Sequence, residues 1–196
     1  MSLLTVWSDT DPMTHLIQTA DAEVIARELG GVGVSYALLE TRDDVPLDGS
    51  QEDVLTAYRE LVEQLVSEHG YTLIDVAQLH LSADSSQSQK ETAAGARLKF
   101  LREHTHDEEE IRFFSHGSGV FYLHIGDRVL AMLCTAGDLL SVPALTTHWF
   151  DMGTKPDFTA IRFFHADDGW VGTFTGSDIA TLFPTHDELA AAAARA

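Results

Sequence analysis

The sequence predicts a mainly β fold, an antiparallel sandwich or barrel preceded by helices, and two features lead to this reading. From Leu98 onward, short apolar runs are broken by glycine, aspartate or proline: EEIRFF, GVFYLHIG, DRVLAML, DLLSV, THWFDM and TAIRFF. Runs of this length and spacing suit strands joined by turns and do not suit alternating βα units. The first hundred residues instead repeat apolar side chains at three- and four-residue spacing, the period of an amphipathic helix. At 196 residues, 44% hydrophobic and 22% charged, the chain is long enough to bury one sizeable core. A single domain over 1–196 is therefore expected, with 1–97 an elaboration of helices and strand and 98–183 the core.

Taken in order, TADAEVIARELGG offers Thr19 or Asp21 as N-cap and Gly30 as C-cap, with Val24, Ile25 and Leu29 along one side. VGVSYALLE is apolar enough for a strand before the turn-like VPLDGS. Between Gln51 and Glu68 the residues Val54, Leu55, Tyr58, Leu61, Val62 and Leu65 mark one helix, with Gly70 just past its end. A polar, alanine-rich third helix is expected from Ser86 to about Arg97, and AAAARA reads as a frayed helix end.

Charge and motifs exclude several classes of function. Twelve basic against 31 acidic residues give a formal net charge of −19, which repels phosphate backbones and anionic lipid, so neither nucleic acid nor membrane is expected as a partner. No apolar run approaches the roughly 20 residues of a membrane span, and MSLLTVWSDTD lacks a secretory pattern, so a cytoplasmic location is expected. The lone Cys134, in AMLCTAG, reads as a small buried side chain. No GxGxxG or GxxxxGK[ST] loop cradles a phosphate.

The chemistry concentrates in REHTHDEEEIRF, at 102–113. On a strand His104 and His106 project to one face, either as metal ligands or as solvated surface. An extended chain would carry Glu110 about 13 Å from His106, at roughly 3.3 Å per residue, but a hairpin at DEE returns it beside the histidines. With Glu110 inward, parity also turns Arg112 and Phe114 inward and Ile111 and Phe113 to another layer. Arg112 then pairs either with an anion of the site or with another nearby acid. Downstream, in GDLLSVPALTTHWFDMG, His148 supplies a fourth candidate ligand, with Phe150 on its face.

HTHDEEE followed by Gly117, and the spacing of Gly137, Pro143 and His148, resemble the two motifs of the cupins. EHTHDEEEIRFF, FYLHIGDRV, GDLLSVP, HWFDMG, FTAIRFF, GW and FTG, in this order, resemble more narrowly the bacterial acireductone dioxygenase family; GVGVSYALLE, AYRELVEQL and EHGYTLIDV extend the likeness over nearly the whole chain. The sequence departs from that pattern at Ala144 and Leu145 and in SADSSQSQKETAAGARLKF.

The resemblance implies a cupin double-stranded β-helix, a jelly-roll barrel with peripheral N-terminal helices. It implies one Fe²⁺ or Ni²⁺ per monomer on His104, His106, Glu110 and His148, with two octahedral positions left for a chelating substrate. The family substrate is the acireductone 1,2-dihydroxy-3-oxo-5-(methylthio)pent-1-ene, cleaved with O₂ in methionine salvage. Arg112 is implied in holding the substrate dianion and Arg162 as a second substrate-contacting arginine. Phe100, Phe150 and Trp170 would be pocket walls, although ordinary core positions would serve equally. Glu103 and Glu109 match positions linked to metal incorporation and conformational coupling; by their chemistry alone they are solvated acids.

Overall fold

The computed structural model describes residues 1–166 and 171–195. Strands β1 (Leu3–Ser8) and β2 (Asp11–Thr19) lead to helix α1 (Ala22–Gly30), strand β3 (Ser35–Leu38), helices α2 (Gln51–Ala57) and α3 (Arg59–His69), strand β4 (Leu73–His80) and helix α4 (Gln87–Phe100). Strands β5 (His104–Thr105), β6 (Glu110–Ile125), β7 (Arg128–Thr135), β8 (Asp138–Val142), β9 (Thr147–Asp151), β10 (Asp157–Phe164) and β11 (Thr173–Phe174) follow, then helix α5 (His186–Ala193). No described helix is long and apolar enough to cross a membrane.

Local chemistry explains the helix ends. The Asp21 carboxylate accepts from the backbone N–H groups of Glu23 and Val24 and starts α1. Ser50 with Asp53, Ser86 with Gln89, and Thr185 with Glu188 form reciprocal capping boxes at α2, α4 and α5. The single helix expected over Gln51–Glu68 is two, broken where Tyr58 leaves helical geometry and its hydroxyl accepts from Arg42 N–H. Gly70, at φ 76°, ends the second. The α1 helix runs through Gly30 and caps at Gly31.

β6 organises the sheets. EEIRFF and GVFYLHIG, expected as separate strands, form one continuous strand whose first half pairs with β8 and β10 and whose second half pairs with β7 and β9. Opposite Thr159 and Ala160 the register shifts, leaving Ser115 as an extra residue between His116 and Phe114.

The expected jelly-roll barrel is not closed. The pairing path runs β11-β5-β9-β6-β7-β1-β2, with side branches ending at β3 and β4. Among the described residues β2, β3, β4 and β11 each have one ladder partner, so the hydrogen bonding never returns on itself. The physical reason is local. β5 and β11 are two residues long, and the halves of β6 diverge at the bulge, so side-chain packing, and not a ladder, bridges the two sheets.

That packing follows strand parity. Phe114, Phe121, Leu123, Phe150, Phe158 and Ala160 point into the space between the sheets. Ile111, Phe113, Ile161 and Phe163 face outward against Val54, Tyr58 and Leu65 of the α2–α3 region. Val120, Tyr122 and Trp149 pack outward on the other side against Phe183 and Leu189. Each buried aromatic or leucine stabilises the fold by about 1.5–3 kcal/mol.

Gly117 marks the divergence of the sheets. Its φ is 69°, and a Cβ there would come 1.8 Å from the Asp157 carbonyl oxygen. Gly117→Ala is expected to cost more than about 3 kcal/mol, from left-handed strain plus a backbone clash. At Gly126, φ 65° with open space around it, alanine should cost only about 1–2 kcal/mol. Urea midpoints of the two variants compare them directly; equal losses would remove the close approach as the cause.

Candidate metal centre

Three imidazoles converge between the sheets. His104, His106 and His148 are buried, and one ring nitrogen from each lies within 4.8 Å of the others. β5 and β9 create part of this meeting by placing His104 directly opposite His148. The hairpin expected at DEE is not what returns Glu110. β5 pairs with β9 and β11, whereas Glu110 sits opposite Val142 on β8. A bend at Asp107–Glu108 nonetheless brings Glu110 Oε2 to 3.4 Å from His106 Nε2 and 2.9 Å from His148 Nε2.

The rings are oriented from behind. Nδ1 of His104 lies 2.6 Å from the Arg102 carbonyl oxygen, Nδ1 of His106 3.1 Å from that of Val171, and Nδ1 of His148 2.8 Å from that of Thr146. A carbonyl only accepts, so each Nδ1 carries a proton, and in the neutral ring Nε2 presents its lone pair. Glu110 Oε1 is taken up by Arg112, whereas Oε2 is buried against the rings, 2.9 Å from His148 Nε2. Two lone-pair atoms held this close repel unless a proton or a metal cation lies between them, so the pocket is built for positive charge. Three imidazoles and a carboxylate, each ring fixed by a backbone carbonyl, therefore fit a divalent transition metal.

Electrostatics treat the rings differently. Burial pushes His104 down to about 4, the Arg102 carbonyl opposing and the other two rings adding to the effect, so its imidazole is neutral and ready to ligate. Burial would also lower His106, but the Glu110 carboxylate outweighs it and holds that ring above its ordinary value. Burial would raise Glu110; Arg112, His106 and His148 together hold it well below the usual carboxylate range.

Parity places Arg112 as expected, inward with Glu110, its NH2 nitrogen 2.7 Å from Glu110 Oε1. Burial lowers its pKa, with Glu110 opposing, but a guanidinium stays charged. Its Cζ stands 4.7 Å from the Phe150 ring centroid and 5.1 Å from that of Phe121. Phe150 is thus a wall of this space, and Phe100 packs behind it at 6.4 Å between centroids. Arg162 lies directly opposite Arg112 on β10 and is gripped through two nitrogens by Asp75 of β4, at 2.7 and 2.5 Å. Trp170 lies outside the described residues.

Of the two further acids, Glu103 is buried and Glu109 is partly exposed. Glu103 lies 2.7 Å from His124 Nδ1 and accepts from the Thr175 hydroxyl at 2.5 Å. Glu109 accepts from the hydroxyls of Ser141 and Tyr71 on the outer side of β6. Neither reaches the converged imidazoles by a direct bond among the described contacts. Leu145, at the departure noted above, adopts φ 63°, is 67% exposed, and donates its N–H to the His106 carbonyl, so it braces a ligand from outside. Burial holds the Cys134 thiol well above its ordinary pKa, which makes it a poor nucleophile.

Sequence reasoning missed Asp75, Phe121 and Phe174. Phe174 packs its ring 5.8 Å from His104 and under Arg102 at 4.2 Å. Alternation along GVFYLHIG, which puts Phe121 and Leu123 on the face opposite Tyr122, was the signal available for Phe121. Asp75 is defined only by the β4–β10 register.

Comparison with known proteins places this geometry in context. A family model described as ARD/ARD' family matches residues 51–172. The chain is 57% identical over 191 residues to the acireductone dioxygenase of Saccharopolyspora erythraea, covering 97% of this chain and 99% of that protein. To the acireductone dioxygenase of Frankia alni it is 51% identical over 190 residues, covering 97% and 91%. Among solved structures, the acireductone dioxygenase from Bacillus anthracis with a cadmium ion in its active center superposes with a TM-score of 0.72 over 89% of this chain and 98% of that one; at 21% identity this similarity speaks for the fold alone.

Proposed function

Because the chain belongs to the ARD/ARD' family, we propose that it cleaves 1,2-dihydroxy-3-oxo-5-(methylthio)pent-1-ene with O₂ as an acireductone dioxygenase of methionine salvage, acting as a cytoplasmic monomer. The observation that carries this reading is the set of three imidazoles, each anchored through Nδ1, whose other ring nitrogens converge beside Glu110 with Arg112 next to it.

His104, His106, Glu110 and His148 would hold one Fe²⁺ or Ni²⁺ ion. When bound, the ion supplies a Lewis-acidic centre for the two ene-diol oxygens. The protein's own groups do the rest. Arg112, fixed by Glu110 and flanked by Phe121 and Phe150, stabilises the deprotonated substrate oxygens, because a desolvated guanidinium lowers the cost of removing their protons. Asp75 aims Arg162 along the same face, where it contacts the substrate. Phe150, with Phe100 behind it, excludes water from the electron-rich ene-diol, which itself supplies the electrons to O₂. Trp170, outside the described residues, is assigned to substrate binding on the family resemblance alone. Glu103 and Glu109 adjoin ligands in sequence and serve metal incorporation and conformational coupling.

The reading predicts that metal identity selects the products. Protein stripped of metal and reloaded anaerobically with Fe²⁺ is expected to give 4-methylthio-2-oxobutanoate and formate. Protein loaded with Ni²⁺ should give 3-(methylthio)propanoate, formate and carbon monoxide. An enzyme-free control is required because the substrate oxidises spontaneously. Identical product ratios from two fully loaded forms would reject metal-selected chemistry, and no acceleration by either form would reject the enzyme reading.

A further inference from the structure

We propose that His80, His116 and Asp157 form a second, surface site for a divalent transition cation of the kind that prefers imidazole nitrogen, and that this cation clamps edge strand β4 to β10 and β6. The three side chains offer one ligand atom each within 4.8 Å of one another. Asp157 Oδ1 lies 2.8 Å from His80 Nδ1 and 3.2 Å from His116 Nε2, so one carboxylate oxygen faces both rings.

Strand geometry builds this cluster. His80 on β4 is directly opposite Asp157 on β10, and both share the outer face with Thr159, since Phe158 and Ala160 turn inward. Simple alternation from Phe114 would turn His116 inward too. The extra residue Ser115 flips it to the outer face, opposite Thr159 and diagonal to Asp157. The bulge therefore re-aims one imidazole onto the other two donors. Behind His80, its Nε2 lies 3.0 Å from the Thr159 hydroxyl, the outer partner that orients a ligating ring. On ligation His80 would keep its proton on Nε2, donated to Thr159, and turn its Nδ1 lone pair outward.

The cluster is separate from the centre described above. His116 is six residues beyond Glu110 on β6, about 20 Å along a strand, and on the opposite face of the sheet. Its side chains are 25%, 36% and 57% exposed, which leaves room for water to complete the coordination. A formal net charge of −19 adds an attractive field for any cation. Among the described residues β4 has only β10 as ladder partner, so a bridge from His80 to His116 across β10 ties down an edge.

Calorimetric titration of the metal-free protein with Zn²⁺ tests the proposal. Wild type should show two binding events, the weaker one micromolar, and His148→Ala should keep only the weaker. His116→Ala and Asp157→Asn should keep the tighter event, lose the weaker by more than ~10-fold in affinity, and retain normal turnover. Thr159→Val should weaken it by about 10-fold. Zinc should raise the melting temperature of His148→Ala and fail to raise that of the His116→Ala, His148→Ala double variant. A single event in wild type, or a second event that survives both His116→Ala and Asp157→Asn, overturns the site.

Discussion

Replacing Glu110 with glutamine is expected to abolish metal retention and destabilise the metal-free protein at the same time, the largest combined effect of any single change in the centre. The carboxylate faces two demands. It lies 2.9 and 3.4 Å from the Nε2 atoms of His148 and His106, and 2.7 Å from the Arg112 guanidinium. Glutamine is a neutral, weak ligand, so metal content after dialysis should fall by at least ~10-fold. It also removes the anion beside a buried cation, which costs about 3–5 kcal/mol and should show as a lower urea midpoint without metal. His148→Ala separates the two demands. It loses the ligand and therefore the metal, but leaves the pair of Glu110 and Arg112 intact, so its metal-free midpoint should fall by less. Full metal content in Glu110→Gln, or equal midpoints for the two metal-free variants, would contradict this assignment.

In the metal-loaded protein, where the ion compensates the Glu110 carboxylate, replacing Arg112 with methionine should leave folding and metal content largely intact while lowering kcat/KM by roughly 10²–10³-fold, the usual cost of losing a fixed donor at a developing negative charge. Methionine keeps most of the side-chain length, and the rings of Phe121 and Phe150, at 5.1 and 4.7 Å from Cζ, accept a thioether well. The measurement that isolates the role is anaerobic ultraviolet spectroscopy of the bound substrate, where wild type should show the dianion and the variant should not. Arg112→Lys keeps a charge but loses the planar fork, so it should recover part of the dianion signal and little of the turnover. Normal dianion formation in Arg112→Met would leave the arginine a structural partner of Glu110 and nothing more.

The centre was far more legible than the fold that carries it. His104, His106 and Glu110 are close in sequence, and alternation alone puts Arg112 and Phe114 on the Glu110 face, because period-two geometry needs no tertiary information. His148 stood out as a histidine opening an aromatic run. What stayed hidden depends on register between distant strands. Asp75 meets Arg162 only because β4 pairs with β10, and LIDVAQLH carries no ligand-like pattern of its own. β1 and β2 were missed since MSLLTVWSDTD and PMTHLIQT alternate weakly; Met13 and Leu16 are exposed on the edge strand β2. The open sheet was also out of reach. Local pattern reports strand content, whereas closure depends on whether the edge strands β2, β3, β4 and β11 find second partners. The carbonyls of Arg102, Thr146 and Val171 that orient the imidazoles are backbone atoms and leave no mark in side-chain chemistry.

The uninterrupted run of β6 has a consequence for how the molecule comes apart. One strand of 16 residues belongs to both halves of the β structure, pairing with β8 and β10 at one end and β7 and β9 at the other. Peeling either half away frays the same backbone on which the other half is hydrogen-bonded, so the two halves share their fate and unravel as one cooperative unit. The slowest-exchanging amides should thus be distributed along β6 on both sides of Gly117, with no partly opened form in which one half survives alone, and Glu110 at the head of that strand is protected by the last part of the structure to let go.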